Sequence, residues 1–230
     1  IFRVSAKANP AAAVAALLLV DDGVLALDDP IEDLLPELAD RQVLVSGAAS
    51  LDDTVPAARP ITLHDVLPFR LGWGMDFSDW SPNPVLEAIM ALDLDHAPPA
   101  PQGTPPPDEW LRRLGTLPLQ HHPGDRWLYQ VGAEVLGALV ARAAGRPFDR
   151  FLQARVFEPL GMVDTGFAVP PGSLARFGPC YGVDEAGERS VYDQTEGGRA
   201  PPPAFPSGGA GLVSHAAAYP PLARLLHSRC

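Results

Sequence analysis

The chain has 230 residues, 47% of them hydrophobic and 20% charged, which excludes a disordered or collagen-like polypeptide. At roughly 150 residues per domain, the length fits one large domain, over 1–230, or two small ones. With 17 basic and 28 acidic residues the net charge is −11, a balance that repels phosphate backbones and argues against nucleic acid as a partner.

Proline is over-represented, at 27 residues, about twice the usual ~5% share. Much of the backbone is therefore expected in turns and extended connectors. Two cysteines, Cys180 and the terminal Cys230, make no disulfide framework. The longest apolar run, Ala11 to Val20, is half the ~20 residues of a spanning helix, so no membrane span is expected. It also lacks the flanks of a signal peptide. The chain opens on Ile1, so any targeting segment would lie outside it.

Asn9-Pro10 reads as N-cap and first helical position of a helix over Ala11 to Val20 that is apolar all round. Asp21-Asp22-Gly23 ends it, with Gly23 as C-terminal cap. Leu25 to Pro36 predicts a short helical turn after Asp28-Asp29-Pro30, and Thr62 to Leu67 another, with Thr62 near its start. Pro98 to Pro107 holds six prolines and predicts an extended, polyproline-like connector or a disordered loop. A short helix over Asp108 to Leu114 follows.

Val135, Leu136, Leu139, Val140 and Ala143 mark one face of a helix over 132–144, stopped by Gly145 and Pro147. Phe148, Phe151, Leu152, Val156 and Phe157 mark a second helix over 148–157. Leu136, Leu139, Val140, Phe151, Leu152 and Val156 are expected to be buried between these helices and the Ala11–Val20 helix. Cys180 to Val183 and Arg189 to Tyr192 flank Asp184-Glu185-Ala186-Gly187 and predict a β-hairpin.

Generic catalytic signals fail. Gly208-Gly209-Ala210-Gly211 lacks the Lys-Ser/Thr of a phosphate loop and reads as a tight turn with close backbone approach. His121-His122 precede a Pro-Gly turn and do not have metal-ligand spacing. Gly178-Pro179-Cys180-Tyr181-Gly182 imitates a nucleophile elbow but leads into a hairpin, not a helix. No motif calls for a cofactor.

Laid end to end, a longer pattern emerges. It runs Phe2-Arg3-Val4, Pro10 and the Ala/Leu helix, Leu25-Ala26-Leu27-Asp28-Asp29-Pro30, and Ile61-Thr62-Leu63-His64-Asp65-Val66-Leu67. It continues with Pro123-Gly124-Asp125-Arg126-Trp127-Leu128-Tyr129, Phe157-Glu158-Pro159-Leu160-Gly161-Met162 and Gly208-Gly209-Ala210-Gly211-Leu212-Val213-Ser214. This order and spacing resembles the serine β-lactamase and penicillin-binding-protein-like superfamily, closest to class C β-lactamases and family VIII carboxylesterases. The resemblance implies an α+β, β-lactamase/transpeptidase-like fold, here mainly its helical part with few strands. It implies acyl transfer on small ester or amide ligands, by a Ser-x-x-Lys pair at the start of a buried helix and a Tyr from a second motif.

Aligned without gaps from Phe2 to Pro10, the nucleophile position falls on Ala6 and the lysine position on Asn9. Tyr129 retains the second motif, as Tyr-x-Val. Ser5 and Lys7 stand two residues apart, about 200° around a helix, and cannot converge as substitutes. Ser5 reads as a turn or capping residue. Pro68, Phe69 and Leu71 replace the Thr, His and Ser that the resemblance places after the Thr62 helix. Pro220 and Pro221 are expected to interrupt the helix after Ser214. The third motif, a Lys/His/Trp strand, would fall beyond Cys230, and early strands before Ile1. Their absence would leave edges open to self-association. The sequence therefore predicts a serine-hydrolase relative that is catalytically inactive, with a ligand-binding module or a decayed fragment as the alternatives.

Overall fold

The computed structural model describes residues 1–45, 50–79, 81–95, 100, 102–184 and 187–228. The chain enters as strand β1 (Phe2–Arg3), tightens into a 3-10 turn over Ser5–Lys7 and runs directly into helix α1 (Ala8–Asp21). The helix thus starts earlier than Asn9-Pro10 predicts. Lys7 is the N-cap, and Asn9 and Pro10 lie in the first turn. Proline is tolerated there because the first backbone N–H groups of a helix have no internal acceptor. α1 ends as expected, with Gly23 at φ +72° and its N–H bonded to the Val20 carbonyl. It is not apolar-buried all round. Ala11, Ala12, Ala15, Ala16 and Leu19 face the core, while Leu17 is exposed.

The Leu25–Pro36 stretch forms 3-10 turns at Ile31–Asp33 and Pro36–Leu38, held short by Pro30 and Pro36. Strands β2 (Gln42–Leu44) and β3 (Thr54–Pro56) pair antiparallel. Helix α2 (Leu63–Val66) opens at Thr62, where the buried Asp65 carboxylate takes the Thr62 backbone N–H at 3.0 Å and its hydroxyl at 2.9 Å. Helices α3 (Pro84–Ala91) and α4 (Pro107–Leu114) follow. Of the expected proline-rich loop, 98, 99 and 101 lie outside the described residues, and Pro107 already belongs to α4.

Helix α5 (Val131–Ala144) is the central element, closed by Gly145 at φ +62°. Helix α6 (Phe148–Leu152) continues into a wider π-type turn over Gln153–Phe157, so the expected 148–157 helix is present but changes pitch. α1 packs on both α5 and α6. Leu136, Leu139, Val140, Phe151, Leu152 and Val156 are all at most 3% exposed, as the periodicity predicts. Each such side chain contributes about 1.5–3 kcal/mol of burial.

Strands β4 (Cys180–Val183) and β5 (Arg189–Asp193) form the expected hairpin; 185 and 186 of its turn lie outside the described residues. Strand β6 (Val213–Ser214) pairs antiparallel with β1, setting Phe2 opposite Ser214. That pairing brings the two ends of the described chain together beside α1. A small second core of Ile1, Val169, Phe177 and Val213 seals it, with the Arg3 guanidinium 4.0 Å from the centre of the Phe177 ring. Helix α7 (Tyr219–Ser228) contains Pro220 and Pro221 without interruption, because both fall in its first turn. Among the described residues no helix is long and apolar enough to cross a membrane.

Candidate functional site

Three segments converge at the start of α1. The first is the turn itself. Ser5 adopts φ +37°, a left-handed value rare for a side-chain-bearing residue, and Ala6 and Lys7 are exposed on the turn. The Tyr219 hydroxyl, on α7, donates to the Lys7 carbonyl. Burial pushes the Tyr219 phenol up to about 12, which keeps it a donor.

The second segment carries Tyr129. Its backbone is clamped to Met75 by two hydrogen bonds of 2.9 Å, and Leu128 donates to the Phe69 carbonyl at 2.8 Å. Gly74, at φ +142°, lies against the Tyr129 carbonyl so closely that any Cβ would collide with it. Gln130 then turns the chain into α5 at φ +89°, a strained value held by this clamp. The result is that the Tyr129 hydroxyl meets Asn9, whose Nδ2 donates to it at 3.5 Å. The Asn9 Oδ1 is buried and has no hydrogen-bond partner.

The structure thus brings Asn9 and Tyr129 together and leaves Ala6 on the exposed turn one helical turn earlier. Ser5 and Lys7 sit in that 3-10 turn, whose N-cap position is Val4, so Ser5 is a turn residue and not the cap. Next to Asn9, Pro10, Ala13, Val66, Leu67, Phe69, Ala133 and Leu136 line an apolar pocket of about 230 Å³. Phe69, one of the departures from the motif, stacks within 5.6 Å of the Tyr129 ring and forms part of this wall.

The third segment is the loop before β6. Gly208 rests on the Ala133 carbonyl of α5 with no room for a side chain, as the tight-turn reading expects. Here the structure shows a residue that sequence reasoning missed. Glu134 is buried on α5, and one oxygen, Oε1, accepts from the Ser207 hydroxyl at 2.6 Å and the Gly209 N–H at 3.2 Å. Its other oxygen, Oε2, is buried without a partner. Burial pushes its pKa up to about 7, against the hydrogen bond from Ser207. The signal was available: Glu134 is the one charged residue in the otherwise apolar run Val131 to Val140.

The remaining candidates sit apart from this convergence. Burial lowers the His121 pKa, and the His122 Nδ1 accepts from the Ala58 N–H at 3.2 Å. Among the described residues no three His, Cys, Asp or Glu side chains converge as metal ligands. Cys180 lies in β4, paired opposite Asp193, not on a strand-to-helix elbow.

A family model described as Beta-lactamase matches residues 10–227. The chain belongs to the β-lactamase family. It is 38% identical over 226 residues to an uncharacterized protein of Mycobacterium tuberculosis, covering 98% of this chain and 53% of that one. It is 31% identical over 239 residues to Esterase EstB of Burkholderia gladioli, covering 94% and 54%. The solved structure of EstCE1, described as a hydrolase with promiscuous acyltransferase activity, superposes with a TM-score of 0.72 at 23% identity, covering 98% of this chain and 58% of that one. The fold is therefore the α+β, β-lactamase/transpeptidase-like one. The chain spans about half the length of the curated relatives it matches.

Proposed function

We propose that this β-lactamase-family chain binds an ester- or amide-bearing small molecule in the Asn9–Tyr129 cleft and forms no acyl-enzyme on it. The observation that carries this reading is the 3.5 Å contact between the Asn9 carboxamide and the Tyr129 hydroxyl. Acyl transfer by this constellation requires an oxygen nucleophile and a basic nitrogen beside the tyrosine. At the positions equated with them stand the Ala6 methyl group and the Asn9 amide, which neither gains nor loses a proton near neutral pH. What remains is recognition chemistry. Tyr129 and Asn9 supply a hydroxyl and an amide for a carbonyl, and the pocket beside Asn9 supplies an apolar wall for an acyl group.

The test combines two measurements on the full chain. A fluorophosphonate probe and p-nitrophenyl acetate report covalent chemistry, and ligand-dependent thermal shifts with a panel of short esters and amides report binding. The expected result is no labelling, no burst and a concentration-dependent rise in Tm. A burst abolished by Ser5→Ala would overturn the reading and restore a hydrolase with its nucleophile at Ser5.

A further inference from the structure

A second cavity sits against α5 and shares no lining residue with the pocket beside Asn9. Glu134, Arg199 and Ser207 supply polar wall, and Leu94 and Phe205 apolar wall. Its volume is about 30 Å³, more than the ~10–15 Å³ that one water needs. That is room for a carboxylate head. Ala100, also on the lining, is exposed, so the cavity meets solvent there.

Two groups in it carry hydrogen-bonding capacity that the fold leaves unused. Arg199 is only 3% exposed, yet among the described residues its guanidinium donates to a single acceptor, the Gly211 carbonyl. It forms no ion pair among them. Asp193, the charged group that acts on it most, is taken by Arg3 at 2.6 Å. Arg3, Cys180 and Tyr192 act on it as well, from β1, β4 and β5. Burial pushes its pKa down, the mark of a charge short of compensation.

Glu134 is the other group. Its Oε1 accepts from Ser207 and Gly209, so a proton on this carboxyl belongs on Oε2, which is buried and has no partner. Its pKa of about 7 keeps that proton in place below neutral pH. Asp95 lines the cavity too. It is engaged, and its charge raises the Glu134 pKa further. Both unused groups are therefore donors, one a cation and the other a neutral O–H. Their complement is an anionic acceptor with two oxygens. A guanidinium fork matches a carboxylate in this way, and leaving a buried charge unpaired is costly.

We infer that the Glu134–Arg199 cavity is a binding site for a small monocarboxylate, whose oxygens take the unused Arg199 N–H groups and the Glu134 O–H together. The site is independent of the Asn9–Tyr129 reading and stands if that reading fails. It also has a pH signature. Above about pH 7 the free chain has released the Glu134 proton and must regain it before the anion enters. Affinity therefore falls as pH rises, with one proton taken up per anion bound.

Calorimetric titration of the full chain with acetate, at constant ionic strength, tests this. Nitromethane, the neutral isostere of acetate, is the control. Acetate is expected to bind roughly ten-fold tighter than nitromethane at pH 6. Between pH 6 and pH 8 its affinity should fall roughly ten-fold. Titrations at pH 8 in buffers of different ionisation enthalpy should count the proton. Glu134→Gln supplies an N–H donor that does not titrate. It should keep acetate binding and lose the pH dependence, which separates Glu134 from Asp95, Cys180 and Tyr192. Arg199→Met should abolish binding. Should that variant fail to fold by circular dichroism, Arg199→Lys keeps the charge, loses the fork and should weaken acetate several-fold. Equal binding of acetate and nitromethane overturns the inference. So does no binding of acetate, which leaves the cavity to water. Acetate binding unchanged by either Arg199 substitution, or a pH dependence that survives Glu134→Gln, overturns it by placing the anion elsewhere.

Discussion

The Ser207 hydroxyl lies 2.6 Å from the Oε1 of the buried Glu134 and joins the loop before β6 to the helix that begins just after Tyr129. Through β6 that loop is also tied to β1 and so to the turn holding Ser5, Ala6 and Lys7. One carboxyl group therefore pins the loop before β6 onto the helix that follows Tyr129.

Its protonation is expected to set stability. The folded-state pKa of about 7 lies above the ordinary 4.5, so between these values the folded chain holds a proton that the unfolded chain has released. Stability contributed by this group is complete below about pH 4.5 and is lost as pH rises through 7. The full loss amounts to about 3 kcal/mol. Glu134→Gln keeps the acceptor for Ser207 and removes the ionisation. Urea unfolding should show the variant equal to the parent at pH 4 and more stable at pH 8. Parallel pH profiles for the two proteins would show that Glu134 does not carry the effect.

A second carboxylate works with the opposite sign. Burial raises the Asp65 pKa, but the Arg59 pair at 2.5 and 2.7 Å and the Thr62 bonds outweigh it, and the net shift is downward. Stability from Asp65 is thus present above the ordinary carboxylate value of 3.8 and is lost as pH falls through its lowered folded value. Asp65→Asn should cost about 1–2 kcal/mol at pH 7, at the modest end because the Arg59 side chain is 44% exposed. The cost should vanish in strong acid. Thermal scans at pH 7 and pH 2 measure both.

Much of this fold was legible in the sequence because its signals are local. The apolar spacing from Val135 to Ala143, the stop at Gly145 and the hairpin around Asp184 each depend on neighbours a few residues away. The start of α1 was not, because the 3-10 turn is held by β1 pairing with β6 and by Tyr219, more than 200 residues along the chain. The same holds for the site. Asn9 and Tyr129 could be picked out from an ordered series of motifs, but their contact depends on Met75 clamping the Tyr129 backbone, a pairing with no sequence signature. The burial of Glu134 is not legible in the sequence for a simpler reason. A single acidic residue in a helix is ordinarily solvated, whereas here Gly209 packs onto its Oε1 and the side chain is buried.

Asn9 itself should be a stability liability. Its Nδ2 bond to Tyr129 is long, at 3.5 Å, and its Oδ1 is buried without a partner. An unsatisfied buried acceptor costs about 1–3 kcal/mol, whereas an apolar side chain of similar shape carries no such penalty. Asn9→Leu should therefore stabilise the chain by about 1 kcal/mol while weakening ester or amide binding in the cleft. Chemical denaturation and calorimetry on the same protein read the two effects. A variant destabilised by more than 1 kcal/mol would mean that the amide is better satisfied than its geometry indicates.

The last expectation concerns turnover. The unmodified chain should hydrolyse neither chromogenic cephalosporins nor short p-nitrophenyl esters above background. A nucleophile that acts as a unit with its base is worth on the order of 10⁶ in rate, and on the proposed assignment of those positions to Ala6 and Asn9 neither partner is present. Because the two act together, restoring one alone should gain nothing. Ala6→Ser lacks a base beside it, and Asn9→Lys has no hydroxyl to activate. Only the double substitution sets a serine one helical turn from a lysine that can reach the Tyr129 hydroxyl. It alone should become reactive toward a fluorophosphonate, by at least ~10²-fold over either single variant, the usual scale of a positioned general base. Mass spectrometry of the labelled chain locates the adduct. An adduct on residue 6 of the Ala6→Ser single variant, formed as fast as in the double, would show that another group already serves as base. An adduct on Ser5 of the unmodified chain would place the nucleophile there.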